Sequence, residues 1–237
     1  MKSPPPAIPR IVGFFFLADL ALVLFYLADW GLGHPSGKLK RMVDLREEGN
    51  FPTWYSSMQL FLVALLLSVF VSKRFARTEP ATWLLPVLPL VFALLSLDEV
   101  AQIHEWLGWR SDLILLPAGR EESFLPETGT WIFVIGVPFF ILMSVILFRL
   151  RRYLDSGRRV VRRFVLALCL YVGSAAGIEM LSNFFRSNPG FQLLQVCLEE
   201  LGEMVAVTIF LWASLDLFLG HEHRPDSPDP LLRGRVG

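Results

Sequence analysis

The hydrophobic residues of this chain are massed in blocks rather than spread by period. Six apolar runs stand out, at approximately 11–33, 54–72, 81–107, 129–150, 163–185 and 191–219. A helix that spans a bilayer needs about 20 mostly apolar residues. Six such helices with short loops use up the chain and leave no room for a separate soluble domain. The pattern predicts an all-α integral membrane bundle of six transmembrane helices over 11–219, flanked by a short N-terminus at 1–10 and a tail at 220–237. That tail is rich in Pro, Asp and Arg and is expected to be disordered.

Turn-forming residues separate the runs. Pro35-Ser36-Gly37 follows the first, and Asn50-Phe51-Pro52-Thr53 opens the second. Asn188-Pro189-Gly190 predicts a tight turn that makes the last two spans antiparallel neighbours. Gly173, Ala176 and Gly177 give the fifth span a small-residue face suited to close approach. Pro86, Pro89 and Pro138 predict kinks in the third and fourth spans. The first run is too long for a signal-peptide core and no small-x-small cleavage pattern follows it, so it is read as a retained span.

Lysine and arginine set the orientation. Lys2, Arg10, Lys73, Arg74, Arg77 and the arginine-rich stretch 149–163 fall on one side, with the tail arginines. Lys38, Lys40, Arg41, Arg46, Arg110, Arg120 and Arg186 fall on the other. The first set is about twice the second, which predicts cytoplasmic N- and C-termini in a bacterial inner membrane. Trp54, Trp106, Trp109 and Trp131 near outer helix ends agree with an interfacial belt.

Composition sharpens the class. The chain is 54% hydrophobic with zero formal net charge, and its mean hydropathy is +0.51. No basic footprint for nucleic acid is present, and nothing calls for a nucleotide cofactor. Cys169 and Cys197 lie inside apolar runs and read as small buried hydrophobes.

Ionisable residues inside spans are costly, and here they are grouped. Asp29, Glu47, Glu48, Asp98, Glu99, His104, Glu105, Glu179, Glu199, Glu200 and Glu203 all project to the outer half; only Asp19 and Asp216 fall nearer the cytoplasmic side. On an unbroken helix, Asp98 and Glu105 share a stripe that His104 flanks, while Glu99 points away. Glu199, Glu200 and Glu203 occupy one face of the last span.

Such carboxylates cannot all stay charged and unpaired in a low dielectric, so protonation or a cation must compensate them. Carboxylates with a minority of histidine suit Ca²⁺, Mn²⁺ or iron. The expected divalent-metal ligands are Glu48, Asp98, His104, Glu105, Glu179, Glu200 and Glu203, with Glu99 and Glu199 as acid or base. A di-iron set is incomplete: Glu200-x-x-Glu203 is present, a Glu-x-x-His pair is not, and His34 in the outer loop is the nearest second imidazole. The competing reading is a helix-end polar cluster at the interface for Asp98 to Glu105, and a structural hydrogen-bond network for Glu199 to Glu203.

The segments EEGNFPTWYSS, SLDEVAQIHEWLG, YVGSAAGIEML and LEELGEMVAVTIF are similar to those of a widespread bacterial family of small six-helix membrane proteins of unassigned function. The resemblance covers roughly 11–219 and implies a shared fold and polar site, without an activity. Ceramidase-type hydrolases, which surround zinc with several histidines, do not fit a chain with one intramembrane histidine. Three readings remain. The first is a metal-dependent membrane enzyme on a lipid or apolar substrate reached from the bilayer. The second is a cation- or proton-coupled transporter. The third is a non-catalytic subunit whose acids pair with a membrane protein partner.

Overall fold

The computed structural model describes residues 7–75, 86–123, 125–126, 128–151, 158–185 and 188–222, and these are helical with no strands. Helix α1 (Ala7–Gly31) is followed by a short α2 (Gly37–Val43). Helix α3 (Phe51–Phe75) starts where Asn50 Oδ1 accepts the Thr53 backbone N–H at 3.2 Å, the usual service of an asparagine cap. Helices α4 (Val87–Ala101) and α5 (Ile103–Leu115) share one apolar run but meet at 76°. One π-helical turn, Ile132–Gly136, leads into α6 (Val137–Leu150). Helix α7 (Arg158–Val172) continues through a second π segment, Gly173–Ile178, into α8 (Glu179–Ser182). Helix α9 (Pro189–Glu222) has 34 residues, a length of about 51 Å.

Among the described residues, five helices are long and apolar enough to cross a membrane, or six if α4 and α5 count as one bent span. Their surfaces say the same. Phe14, Leu17 and Phe25 of α1, Phe61 and Leu65 of α3, and Ile141 and Phe148 of α6 face outward, whereas Asp19, Gln59, Thr208 and Ser214 are buried. Apolar outside and polar inside is the arrangement that lipid, not water, favours as solvent. The helices therefore fit a multi-pass membrane protein.

Helix α9 is the centre of the bundle and packs on α1, α3 and α7, while α3 also packs on α4. The main core joins Leu60, Val63 and Leu67 of α3 to Phe92 of α4, Phe164 of α7 and Phe210 of α9. Rings of Phe92 and Phe164 contact Phe210 at centroid distances of 4.9 and 5.8 Å. A second cluster, with Leu22, Tyr26, Leu45, Cys197 and Met204, lies toward the α2 end. Cys197 is buried, but Cys169 is exposed on the bundle surface, contrary to the expectation that both sit inside.

Three further expectations give way. The third run is not one helix, because it breaks at Gln102. Pro189 and Gly190 belong to the first turn of α9 rather than to a loop, and Asn188 caps them by accepting the Phe191 N–H at 3.1 Å; proline is at home in a first helical turn. Gly173 and Gly177 meet nothing within 4 Å of a built Cβ. The close approach of α7 and α9 is made instead by Ser174 against Gly202, where a Cβ on Gly202 would lie 2.9 Å from Ser174 Cβ. The expected N-terminus keeps residues 7–10 in α1, and helix α9 runs through residues 220–222. The rest of the tail, 223–237, lies outside the described residues, as do Arg77 and Arg186.

Candidate metal centre

The site is built on the break between α4 and α5. Gln102 adopts φ 54°, ψ 38°, a left-handed conformation that costs a non-glycine residue about 1–2 kcal/mol. What holds it there is Asp98. Its Oδ1 accepts the backbone N–H of His104 at 2.7 Å, and its Oδ2 lies 2.8 Å from His104 Nδ1. A side chain from the last turn of α4 thus caps α5, satisfying one of the free donors of a new helix. The same carboxylate fixes the imidazole. A ring whose Nδ1 is held by a carboxylate presents Nε2 as its free ligand atom, with raised basicity.

The break also changes which acids meet. The shared stripe of Asp98 and Glu105 required an unbroken helix; Asp98 instead turns to the α5 terminus, and Glu105 falls in the first turn of α5. Glu48 arrives from the loop before α3. Asn50 shapes that loop by donating to the carbonyls of Asp44 and Glu47, both at 2.6 Å, and Gly49 takes φ 74°. Ligand atoms of Glu48, His104 and Glu105 all lie within 4.8 Å of one another. One ion with bonds of about 2.1–2.6 Å bridges donors up to about 5 Å apart, so this set fits a single hard or borderline cation. Burial pushes the Glu48 carboxyl up from its ordinary value, eased by the Gln102 side chain and reinforced by Glu105. A cation there would reverse that penalty.

Behind this mouth lies a second group of carboxylates. Glu99 lies within electrostatic range of Glu48, His104 and Asp98, with Ser56 nearby. Glu200 senses Glu99, Glu199 and Glu48, and Glu203 senses Glu200, Glu99, Glu199 and Glu179. Glu179 accepts Trp131 Nε1–H at 3.3 Å, and Glu199 accepts Gln195 Nε2–H at 3.1 Å. The contact of Ser174 with Gly202 sets α7 close to α9 and so brings Glu179 within reach of Glu199. Each π segment adjoins this layer, and such segments recur at functional sites.

His34 does not join the cluster. Its ring Nδ1 pairs with Asp29 Oδ2 at 2.6 Å in the α1–α2 loop. Beyond α5, Asp112 ties down the following loop, accepting from Thr130 N and Oγ1 and from Arg120 Nε, each at 2.7 Å.

A family described as a domain of unknown function (DUF8692) matches residues 14–219. The chain belongs to this family. No curated protein and no solved structure matches it. The matched region holds every site residue named above, from Glu48 to Glu203.

Four participants escaped the sequence reading. Gln102 carries no helix-breaking signal, since glutamine is a good helix former. Trp131 reads as an interfacial aromatic but is half-buried and bonds Glu179. Tyr171 lies within electrostatic range of Glu203, Glu99, Asp98 and Glu200, and a tyrosine within an apolar run is the one signal that could have found it. Ser56 reads as a helix-start residue and lies near Glu99.

Proposed function

We propose that the protein is a metal-binding membrane protein in which Glu48, His104 and Glu105 hold one divalent cation at the bilayer surface. The observation that carries this reading is the convergence of the three ligand atoms within 4.8 Å, beside a histidine already oriented by Asp98. In the same reading Asp98 positions the ring rather than binding metal, and Glu179, Glu200 and Glu203 supply the negative field behind the ion. Two carboxylates and one imidazole suit Mn²⁺, Ca²⁺ or iron.

The chemistry we favour is on a lipid or apolar substrate that reaches the site from the membrane. Exposed Ile103, Trp106, Leu107 and Trp109 surround the ligands on α5, an apolar collar suited to the headgroup boundary. A metal there supplies Lewis acidity or an activated water. Glu99 and Glu199 lie behind it as acid or base. The Lys and Arg distribution supports cytoplasmic termini in a bacterial inner membrane.

A transporter reading draws on a different observation. Glu99 and Glu200 feel Glu48, and Glu203 feels Glu200 and Glu99, a group of acids of the kind that cation or proton paths use. Two assays separate the readings. Unfolding of the detergent-solubilised protein with and without Mn²⁺, Ca²⁺ or EDTA tests the centre: a midpoint raised by metal and unmoved in His104→Ala supports it, and indifference to every ion refutes it. Proteoliposome flux lost in Glu200→Gln and Glu203→Gln would favour transport.

A further inference from the structure

The end of the bundle where α7 begins carries a concentration of charge that the proposed centre does not use. Glu179, at the far end of the same apolar span, lies about 25 Å along the helix from Arg162. Helix α7 divides into two faces. Val160, Phe164, Ala167 and Leu168 are buried in the core. Arg159, Arg162, Val165, Leu166 and Cys169 are exposed. Arg162, Val165, Leu166 and Cys169 are spaced i, i+3, i+4 and i+7, a single stripe down one side of a helix. Arg159 lies one turn before it. The stripe thus starts in guanidinium groups and continues as apolar side chains over about 10 Å.

The arginines there are not equally compensated. Arg163 turns inward: it pairs with Asp216 of α9, and its Cζ lies 3.8 Å from the centroid of the Trp212 ring. Arg159 and Arg162 lie within electrostatic range of Arg163. Three like charges therefore crowd the first turns of α7, and Asp216 answers only one of them. Among the described residues, Arg159 and Arg162 make no ion pair. The start of α7 is also the positive end of its dipole, which adds to the excess instead of offsetting it. An anion is the missing complement.

We propose that this stripe is a docking site for an anionic phospholipid. The phosphate lies against Arg159 and Arg162, and an acyl chain follows Val165, Leu166 and Cys169 toward the bilayer interior. Guanidinium is well matched to phosphate, which it grips with two parallel N–H donors. Clustered basic residues at the membrane end of a helix attract acidic headgroups. The apolar continuation selects lipid over free phosphate, because a soluble anion gains nothing from exposed Val165 and Leu166. Arg163, held by Asp216 and Trp212, ties α7 to α9 and leaves the other two guanidiniums on the lipid side. The site shares no residue with the Glu48–His104–Glu105 centre and does not rest on it.

The test is thermal unfolding of the full chain in a neutral detergent, at fixed pH and ionic strength. The protein is titrated with dioleoylphosphatidylglycerol or, at equal amounts, dioleoylphosphatidylcholine. Phosphatidylglycerol raises the unfolding midpoint of the wild type more than phosphatidylcholine does. In the double variant Arg159→Gln/Arg162→Gln, the phosphatidylglycerol needed for half the rise increases about 25-fold. Arg162→Gln alone increases it about fivefold, and it decides the matter if the double variant does not fold. Arg110→Gln makes the same charge change at an exposed position of α5 and leaves the titration unchanged. An equal response to the two lipids overturns the proposal. So does a phosphatidylglycerol response that survives intact in the arginine variants, or one that Arg110→Gln weakens as much as Arg162→Gln, which marks a bulk charge effect. Inorganic phosphate that reproduces the rise at equal concentration assigns the arginines to a soluble anion and overturns it as well.

Discussion

Gly202 is the position at which a single added carbon says most about how the acidic layer is held. A Cβ built there lies almost on top of Ser174 Oγ, 2.9 Å from Ser174 Cβ and 4.0 Å from Leu170 Cδ1. Rotating the serine hydroxyl relieves the first contact. It cannot relieve the second, because Cβ moves only with the backbone. Gly202→Ala must therefore push α9 from the π segment of α7, and overpacking of this kind costs about 1–3 kcal/mol. The gain from removing glycine in a helix, about 1 kcal/mol, offsets part of that. The expected net loss is about 0–2 kcal/mol in denaturant unfolding of the micelle-bound protein. Ser174→Ala removes only Oγ and should restore little; Ser174→Gly removes both atoms and should restore most of the loss, a coupling of about 1 kcal/mol or more in the double-mutant cycle. If the double-mutant cycle shows no coupling between Gly202→Ala and Ser174→Gly, the close approach of Ser174 to Gly202 is wrong.

Other residues give sharper, smaller tests. Gln102→Gly should stabilise the break by up to about 1 kcal/mol while Gln102→Val destabilises by about 1–2 kcal/mol, both read by thermal unfolding; the reverse order would mean that α4 and α5 are continuous. Asp98→Asn should weaken metal affinity about 10–100-fold without abolishing it, whereas loss of binding altogether in calorimetric titration would make Asp98 a ligand. Asp112→Ala leaves Thr130 and Arg120 without their acceptor, a loss of about 2–3 kcal/mol, and should expose the 116–131 loop to limited proteolysis; an unchanged digest would contradict the tether.

The long apolar helices were legible because lipid favours one dominant pattern, a block of about 20 apolar residues, and the described part of each block is largely helical. The neighbourhood of the last two spans was equally readable, since a short connection forces antiparallel packing. The α4–α5 break was not. SLDEVAQIHE contains no glycine or proline, so local propensity favours a continuous helix, and the break appears only because Asp98 reaches forward to the His104 N–H. A wheel drawn through Gln102 therefore grouped Asp98 with Glu105 and missed the bond from Asp98 to His104, although Glu48, His104 and Glu105 were all expected at one site. The π segments were hidden for a related reason: Gly173 and Gly177 look like a packing face, while the contact depends on which residue the extra turn rotates inward, here Ser174. Polar positions inside the bundle were visible as anomalies, but their partners lay on other helices, as Gln59 and Thr208 show for Asp19.

The proposed function stands or falls with one cation site formed by Glu48, His104 and Glu105. Elemental analysis of protein purified from metal-replete cultures tests it most directly, with His104→Ala beside the wild type and thermal unfolding as the check on folding. We expect about one divalent ion per wild-type chain and a folded variant that has lost it. A metal-free wild type, or a variant carrying the same metal content, would contradict it.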